Sequence, residues 1–344
     1  MKKWNIAIVG AGVIADFHAS AIKNLKNADL IGFADSLPEK AKMLAEKFSC
    51  KAYQSPEHLF EDDSVDVVTI ATPSGAHLEP TIAAAKAGKH IICEKPLEIT
   101  LSRIDAMIEA HEKAGTFLGC IFQNRFSDAI APLRQAVTSG RFGTITCAAV
   151  YVPWWRSDDY YKDSWHGTWK LDGGGALMNQ SIHMVDMLCD LMGEVTEVKA
   201  FADHLGHDIE AEDTAVAIVR FANRALGIIY GTTASSPGQF KRFEITGTKG
   251  TVFYLEDGFT VWSFAEETVE DEKIRTSFAP KSKLGGKADH TKIEFENHRR
   301  NFAAFLESLE RGEKPLLDGH EGRKAVKLVL DIYKAAGILP RAKS

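Results

Sequence analysis

The sequence predicts two domains, an α/β domain followed by an α+β domain. The chain has 344 residues, and compact domains average roughly 150 residues. Through the first third of the chain, short β-branched runs alternate with longer segments of helical periodicity, which is typical of a parallel sheet covered by helices. Beyond Arg125 the pattern changes to two helical segments and then a run of strands separated by turn residues.

The predicted elements of the first domain, residues 1–124, alternate regularly. Pro38 suits the first turn of a helix, because proline lacks an amide hydrogen that this turn would leave unbonded. Thr100 is placed to cap the helix after it. The strands are predicted at Asn5–Val9, Leu30–Ala34, Val65–Ala71, His90–Glu94 and Phe117–Ile121, and the helices at Ile14–Leu25, Pro38–Phe48, Leu78–Ala87 and Leu101–Ala114.

The second domain, residues 125–344, is predicted to contain a large, mainly antiparallel sheet. Thr214–Phe221 is apolar at almost every position, so we expect its outer face to be covered by a second subunit. Lys273–Lys292 is polar and glycine-rich, which favours a mobile loop, and the last helix is expected to pack on the first domain. The strands are Thr196–Ala202, Thr214–Phe221, Ala225–Thr232, Phe243–Thr246, Thr251–Leu255 and Thr260–Phe264, and the helices Ala131–Ser139, Ala176–Met192, Phe295–Arg311 and Gly322–Ala336.

Composition excludes several classes of protein. Apolar residues make up 45% and charged residues 26% of the chain, which argues against disorder. The formal net charge is −6 without a basic run, so we expect neither nucleic acid nor an anionic membrane as a partner. The five cysteines form no C-x-x-C pair, which argues against a disulfide framework and a zinc site and favours a reducing cytoplasm. No apolar run reaches the ~20 residues that span a bilayer.

The first strand leads into a glycine pattern that indicates a dinucleotide site. Gly10-Ala11-Gly12-Val13-Ile14-Ala15 is G-x-G-x-x-A, in which glycines allow a tight turn and the helix start offers free amides to a pyrophosphate. Alone, this pattern fits a simple tight turn equally well. Asp35 lies 20 residues beyond Ala15, where an acid binds ribose hydroxyls. Because Ser36 follows it and no arginine does, NAD is favoured over NADP.

Three further positions extend the predicted cofactor site. The segment Ala71-Thr72-Pro73 closes a strand at the sheet edge where open α/β sheets bind ligands. His77 either touches the cofactor or serves as a cap or surface residue. Glu94 and Lys95 close the next strand, near the expected nicotinamide.

Lys95 is the first candidate for proton transfer. A lysine that accepts a hydroxyl proton needs a pKa below its ordinary ~10.4, which burial or a neighbouring cation can provide. The alternative is a surface Glu94–Lys95 pair. His183 and Asn179 are the second pair of candidates, on a polar stripe of the helix after Asp172-Gly173-Gly174-Gly175. Asp186 and Asp190, further along that helix, are interpreted as structural partners or solvated residues.

An aromatic loop lies between these motifs. Four of the six tryptophans fall within 16 residues, a density that suits stacking on sugar rings but suits a packed core or subunit interface equally. The candidates for substrate binding in this loop are Trp154, Arg156, Tyr160 and Trp165.

Taken in order, Gly10–Ala15, Glu94-Lys95-Pro96, Gln123–Phe126 and Gly173–His183 resemble the Gfo/Idh/MocA oxidoreductases. The resemblance implies a Rossmann domain, an open-faced sheet used in oligomerisation, NAD(P), and chemistry at a carbohydrate or polyol carbon. By position, Lys95 matches the catalytic lysine and His183 a catalytic histidine of that family. Arg125 matches a position near nicotinamide and substrate.

Asn179 stands where the resemblance implies an aspartate, and an amide cannot take up a proton. We therefore expect Lys95, aided by His183, to remove a hydroxyl proton while Asn179 orients the substrate, and we expect Asn179→Asp to be tolerated. The function predicted is NAD-dependent hydride transfer at a carbon of a sugar, cyclitol or sugar derivative, in a homodimer or homotetramer formed through the second-domain sheet. The alternatives are an NAD-retaining glycosidase and a silent NAD-binding regulator.

Overall fold

The structure is a computed structural model that describes residues 2–280 and 295–339. The chain divides into two compact units, Met1–Gln123 with His290–Val326 and Asn124–Asp289 with Lys327–Ser344. The described strands are β1 Trp4–Val9, β2 Ala28–Ala34, β3 Lys51–Ala52, β4 Val67–Ile70, β5 His90–Cys93, β6 Leu118–Cys120, β7 Ile145–Pro153, β8 Val195–Asp203, β9 Thr214–Phe221, β10 Leu226–Thr232, β11 Arg242–Gly247, β12 Gly250–Leu255 and β13 Gly258–Phe264.

Most of the predicted helices are present with small shifts of their ends. Pro38 occupies the start of the helix Pro38–Phe48, and the Thr100 hydroxyl caps the helix Leu101–Ala114, as expected. The short helix Pro56–Phe60 has no counterpart in the prediction. The described α-helices are α1 Val13–Lys23, α2 Pro38–Phe48, α3 Pro56–Phe60, α4 Leu78–Lys86, α5 Leu101–Ala114, α6 Ile130–Thr138, α7 Asp158–Tyr161, α8 Ile182–Met192, α9 Val269–Ser277, α10 Glu296–Arg311 and α11 Gly319–Ala336.

The first unit is built on a six-stranded parallel sheet. Its strand order is β3-β2-β1-β4-β5-β6, the order of the Rossmann dinucleotide-binding fold, which confirms the predicted fold class. β1 is buried on both faces, since its successive residues Ala7 and Ile8, which point to opposite faces, are both completely buried. Helix α10 belongs to this unit because Phe302 and Leu306 pack into the same core. The carboxyl ends of β2, β1, β4 and β5 therefore lie side by side.

The second unit contains a seven-stranded mixed sheet, in the order β13-β12-β11-β7-β10-β9-β8. Every neighbouring pair is antiparallel except β10 and β7, which run parallel with Ile229 opposite Val150. The mainly antiparallel sheet of the prediction is thus confirmed. The prediction did not include the insertion of β7 between β10 and β11.

One face of this sheet is left open by the residues that the structure describes. Ala215, Ala217 and Val219 of β9 are buried, but Val216 and Ile218 between them are exposed, Ile218 by 58%. Phe201 of β8 pairs with Val216 and is also exposed. The strand is apolar on both faces as predicted, and the residues that the structure describes cover only one of these faces.

Two predicted segments need correction. Part of the predicted mobile loop, from Lys273 to Ser277, is helical in α9, because Thr268 and Asp271 form a capping box and Ile274 is buried. Residues 281–292 of that prediction lie outside the described residues. The predicted helix Ala176–Met192 begins as a π-helix, Ala176–Ser181, before α8 continues it. Such wide turns occur frequently at functional sites.

Candidate active site

The glycine turn after β1 has the form that a dinucleotide site requires. Gly10 has φ +102°, and a Cβ on it would lie 2.5 Å from the carbonyl oxygen of Ala71, so only glycine fits between the ends of β1 and β4. A Cβ on Gly12 would meet nothing within 4 Å. Val13, at the start of α1, is 64% exposed. A helix start has more amides than acceptors, and here only Ala15 N is seen to donate within the turn, to the Gly12 carbonyl oxygen at 3.1 Å, so the open space above Gly12 and Val13 fits a pyrophosphate.

Asp35 links the ends of β1 and β2. Its carboxylate accepts hydrogen bonds from the backbone amides of Ala11 at 2.7 Å and Leu37 at 2.8 Å. The side chain remains half-exposed, and each carboxylate oxygen has a second lone pair. It can therefore accept from ribose hydroxyls while it holds the turn. Ser36 and Lys40 beside it are exposed.

His77 needs correction as a cofactor contact and as a cap. Its ring is completely buried, with Nδ1 3.0 Å from the carbonyl oxygen of Pro96 and Nε2 3.0 Å from that of Thr72. No capping bond comes from its side chain. Because the ring bridges the loops after β4 and β5, we assign it the task of holding them together. Thr72 and Pro73 remain half-exposed at the same sheet edge.

Lys95 follows β5, and its backbone amide is bonded to a buried polar cluster. The Glu94 carboxylate accepts from the Lys95 backbone amide at 2.9 Å and contacts His18 Nε2 at 2.8 Å. His298 Nε2 lies 3.9 Å from the same carboxylate. Burial alone would raise the pKa of Glu94, but the bond from His18 and the positive groups around it lower the pKa to about 2. Lys95 itself is half-buried, so its predicted alternative as a fully solvated surface pair does not apply.

The cluster of His18, Glu94 and His298 could also be considered as a metal site, since the three ligand atoms lie within 4.8 Å of one another. However, two ligands bonded to one zinc ion at about 2.0–2.1 Å in tetrahedral geometry lie roughly 3.3 Å apart. The His18–Glu94 separation of 2.8 Å is that of a direct hydrogen bond, and the other ring nitrogen of His18 is 2.9 Å from the Thr69 hydroxyl. We assign the cluster to hydrogen bonding.

In the second unit, protein groups explain the glycine run before the π-helix. A Cβ on Gly174 would lie 2.2 Å from the Tyr333 hydroxyl, and one on Gly175 would lie 1.9 Å from the carbonyl oxygen of Glu212. The close approaches to these two glycines are therefore made by the protein's own groups. Tyr333 comes from α11.

Glu212 anchors the start of the π-helix. Its buried carboxyl group accepts from the amides of Gly175 at 2.9 Å and Leu177 at 2.8 Å, and from the Tyr333 hydroxyl at 2.7 Å. Burial raises the pKa of Glu212 to about 7, even though these hydrogen bonds favour the charged form. The start of the helix that carries Asn179 and His183 is thus fixed by residues distant in sequence.

The predicted substrate residues of this unit are partly brought together. Asn179, on the π-helix, is nearly buried and donates from Nδ2 to Asp172 at 2.5 Å. Arg156 is bonded to Gln180, the next residue after Asn179, at 2.6 Å. The Arg156 guanidinium also lies 5.4 Å from the centre of the Tyr160 ring. His183 follows on α8, four residues after Asn179, and is half-buried.

The aromatic loop packs largely on itself. Trp165 stacks on His166 with ring centres 4.1 Å apart, and His166 packs on Tyr160 at 4.2 Å. Trp154 lies 5.2 Å from the Arg156 guanidinium. Trp154, Tyr160 and Trp165 remain half-exposed. The loop is therefore a packed aromatic cluster whose remaining exposed faces can still stack on a ligand.

Among the residues that the structure describes, no helix is both long enough and apolar enough to cross a membrane.

Comparison with known proteins identifies the family. Residues 4–122 match the model of an oxidoreductase family with an NAD-binding Rossmann fold, and residues 130–253 match the GFO/IDH/MocA C-terminal domain. A myo-inositol 2-dehydrogenase of Thermotoga maritima is 30% identical over 341 residues, which cover 94% of this chain and 93% of the relative. The chain belongs to the Gfo/Idh/MocA family. The predicted family and the NAD cofactor are thus confirmed.

Other members of the Gfo/Idh/MocA family match over most of the chain. A levoglucosan dehydrogenase of Pseudarthrobacter phenanthrenivorans is 30% identical over 81% of this chain and 80% of its own. The crystal structure of the WlbA dehydrogenase from Bordetella pertussis, in complex with NADH and UDP-GlcNAcA, superposes with a TM-score of 0.88 and 32% identity, covering 98% of this chain and 96% of that one. The chain is thus similar to NAD-linked dehydrogenases along nearly its full length.

Arg125 occupies a different setting from the one that the Gfo/Idh/MocA resemblance implied. It is buried, and its guanidinium is bonded to both oxygens of Asp186, at 2.6 and 2.8 Å, and to Asp190 at 3.0 Å. Asp190 also pairs with Arg134. The interpretation of Asp186 and Asp190 as structural partners is confirmed. A buried guanidinium in two ion pairs ties the segment before α6 to α8, so we correct its proposed contact with cofactor and substrate to a positioning role.

Sequence reasoning gave no role to several polar residues of these sites. Asp172 and Gln180 are close in sequence to Asn179, so their proximity was a usable signal. Glu212, Tyr333 and His298 reach their partners from distant parts of the chain, and no local pattern marks them.

Proposed function

We propose that this chain oxidises or reduces the CH–OH carbon of a sugar, cyclitol or sugar derivative, with Lys95 as the group that removes or returns the hydroxyl proton. The observation that carries the proposal is the position of Lys95. It follows β5 at the sheet edge that also holds the glycine turn after β1 and Asp35 after β2. The residues proposed to hold NAD are Gly10, Gly12, Val13, Ile14, Asp35, Ser36, Ala71, Thr72, Pro73, Glu94 and Lys95.

The proposed reaction gives each group one task. NAD, when bound, supplies the acceptor for the hydride that leaves the carbon. Lys95 accepts the hydroxyl proton, so that a carbonyl group remains. His183 assists by hydrogen bonding to the reacting hydroxyl group, and Asn179 orients the substrate without taking up a proton, since an amide does not titrate near neutrality.

The substrate class follows from the second unit and from the relatives. The half-exposed faces of Trp154, Tyr160 and Trp165 suit the apolar faces of a sugar or cyclitol ring. The guanidinium of Arg156, which is 8% exposed, lies against Trp154 and Tyr160 and adds a cationic group. Relatives of this chain are named for myo-inositol and levoglucosan, and a similar structure holds UDP-GlcNAcA. We therefore propose a ring polyol or a sugar that carries an acidic or nucleotide substituent.

A substrate panel tests this function. Purified protein with NAD is mixed with inositols, levoglucosan, free hexoses, uronic acids and UDP-sugars, and NADH formation is followed by absorbance. We expect turnover with at least one compound and its loss in Lys95→Ala, whereas the exposed Lys86→Ala on α4 serves as a matched control. Hydrolysis of a glycoside without net NADH would favour the glycosidase, and NAD binding without any reaction across the panel would favour the regulator.

We also propose that the chain assembles as a homodimer or homotetramer through the open face of the second-unit sheet. Phe201, Val216 and Ile218 form neighbouring exposed apolar positions on that face, which water would otherwise contact. Light scattering should give a mass of two or four chains. Ile218→Lys should lower this mass, and Met43→Lys, at a position on α2 that is also exposed, should not. A monomer at micromolar concentration contradicts this proposal.

The cysteines support a reducing compartment. All five are free thiols in the structure. We propose the cytoplasm on this ground, to be checked by fractionation of cells that express the tagged chain.

A further inference from the structure

A line of hydrogen bonds joins four side chains of the second unit. Arg156 Nη2 donates to Gln180 Oε1 at 2.6 Å, and Gln180 Nε2 donates to Asn179 Oδ1 at 2.7 Å. Asn179 Nδ2 donates to Asp172 Oδ1 at 2.5 Å. The line begins at a guanidinium, passes through two side-chain amides and ends at a carboxylate.

The two ends of this line fix its direction. A guanidinium can only donate hydrogen bonds, and a carboxylate can only accept them. Gln180 must therefore turn its oxygen to Arg156, and Asn179 must turn its NH₂ group to Asp172. As a result Asn179 Oδ1 faces Gln180. The orientation of the Asn179 amide is thus determined by charged residues on either side of it.

Asp172 is itself held firmly. It is 1% exposed, and its second oxygen accepts from the Gly167 amide at 2.8 Å. A buried carboxylate is stable only when donors compensate for the lost water. Asn179 supplies one such donor, so the two side chains depend on each other.

We propose that Asp172 and Asn179 act as one pair, in which the carboxylate of this active site stands at position 172 instead of position 179. Asp172 is then a positioning residue that orients the Asn179 amide toward the substrate. This inference rests on the proposed function, because it assumes that Asn179 contacts the substrate. It also reverses the expectation that Asn179→Asp is tolerated.

Each single exchange breaks the pair. Asn179→Asp places two carboxylates 2.5 Å apart, where both cannot be ionised. Asp172→Asn places two NH₂ groups face to face while its oxygen still accepts from Gly167. If the Asn179 amide then rotates by 180°, its NH₂ group faces the NH₂ group of Gln180. If the Gln180 amide also rotates, the Gln180 NH₂ group faces the guanidinium of Arg156, which is again a donor. No arrangement satisfies every member of the line.

The double exchange restores all of the bonds. In Asp172→Asn with Asn179→Asp, the new amide oxygen accepts from Gly167 and its NH₂ group donates to the carboxylate at 179. That carboxylate still accepts from Gln180. Atoms occupy the same positions as before, and only the direction of one hydrogen bond is reversed.

The experiment is a double-mutant cycle. Wild type, both single variants and the double variant are compared in kcat and KM with a substrate from the panel, with Asp203→Asn as an exposed control. We expect each single variant to lose about ten-fold or more in kcat/KM, the effect of a buried group that loses its partner, and the double variant to recover most of the loss. Two results would overturn the pairing. One is a double variant in which the two losses of kcat/KM simply add, and the other is single variants with wild-type kcat and KM.

Urea unfolding of the same four proteins separates this inference from the function. Both single variants should unfold at lower urea than wild type and the double variant close to it. If the wild type turns over no sugar, the proposed function fails, but the unfolding cycle still decides whether the pair exists. If the wild type is active and neither cycle shows recovery, the function stands and the pair is refuted.

Discussion

Each unit contains a buried glutamate beside its proposed catalytic residues, and the two carboxyl groups are held in opposite ways. Glu94 contacts two histidine rings and the Lys95 amide, and these neighbours lower its pKa to about 2 against the effect of burial. Glu212 faces two backbone amides and the Tyr333 hydroxyl, and there burial dominates and raises the pKa to about 7. The titratable histidines beside Glu94 therefore keep its carboxyl group ionised. The dipoles of two amides and a hydroxyl group around Glu212 do not have this effect.

The proposed catalytic residues of the two units are held in different ways. In the first unit, a permanent negative charge beside Lys95 fixes the backbone of the residue that handles the proton. In the second unit, a carboxyl group that titrates near neutrality anchors the π-helix with Asn179. The first arrangement relies on charge and the second on hydrogen-bond geometry.

The same substitution should therefore have unequal effects at the two positions. Glu94→Gln replaces an anion by a neutral group and should lower the free energy of unfolding by about 2 kcal/mol at pH 7, since its surroundings favour the charged form. Glu212→Gln loses no charge that the surroundings favour, and its cost of about 1 kcal/mol comes from its new NH₂ group, which faces the backbone N–H of Gly175 or Leu177. Urea unfolding of both variants measures this difference, and equal losses would break the comparison.

The pH dependence of stability should differ in sign. His298, beside Glu94, has its pKa lowered by burial from 6.5 to about 4, so the unfolded chain binds its proton first and stability falls as pH drops through that range. Glu212 is protonated more readily in the folded chain, so its contribution is full below about 4.5 and is lost as pH rises toward 7.

Variants isolate these two slopes. The stability difference between His298→Leu and wild type, plotted against pH, should shift in favour of the variant between pH 6.5 and 4. The difference for Glu212→Gln should shift in favour of the variant between pH 4.5 and 7. If the stability of a variant and that of wild type change in parallel with pH, the corresponding group does not titrate in this way.

Tyr333→Phe should have a small effect on stability and a specific effect on activity. It removes one donor to Glu212 and should cost about 1 kcal/mol. Because Glu212 anchors the helix of Asn179, kcat should fall as well. Tyr254→Phe in β12 also removes a buried hydroxyl group and serves as the control, with kcat unchanged. An equal fall in kcat for both variants would mean that Tyr333 has no special link to the site.

The sequence predicted one unit better than the other for a physical reason. In the first unit, the strands are parallel, so residues that follow them meet at one edge, and the positions of Gly10, Asp35 and Lys95 could be derived from their order alone. In the second unit, the site depends on Glu212 and Tyr333, which reach the π-helix from distant segments. The insertion of β7 into the sheet and the burial of Arg125 likewise depend on tertiary contacts that no local pattern contains.

The central claim is that Lys95 transfers the proton, and one kinetic comparison tests it most directly. The rate of NADH formation by Lys95→Ala is measured at saturating NAD and substrate, alongside its NAD affinity by fluorescence titration and its unfolding curve. We expect kcat to fall by ~10²–10⁴, the usual contribution of a general base, with NAD affinity and folding unchanged. A Lys95→Ala variant that turns over at the wild-type rate with intact fold and NAD binding would contradict the account.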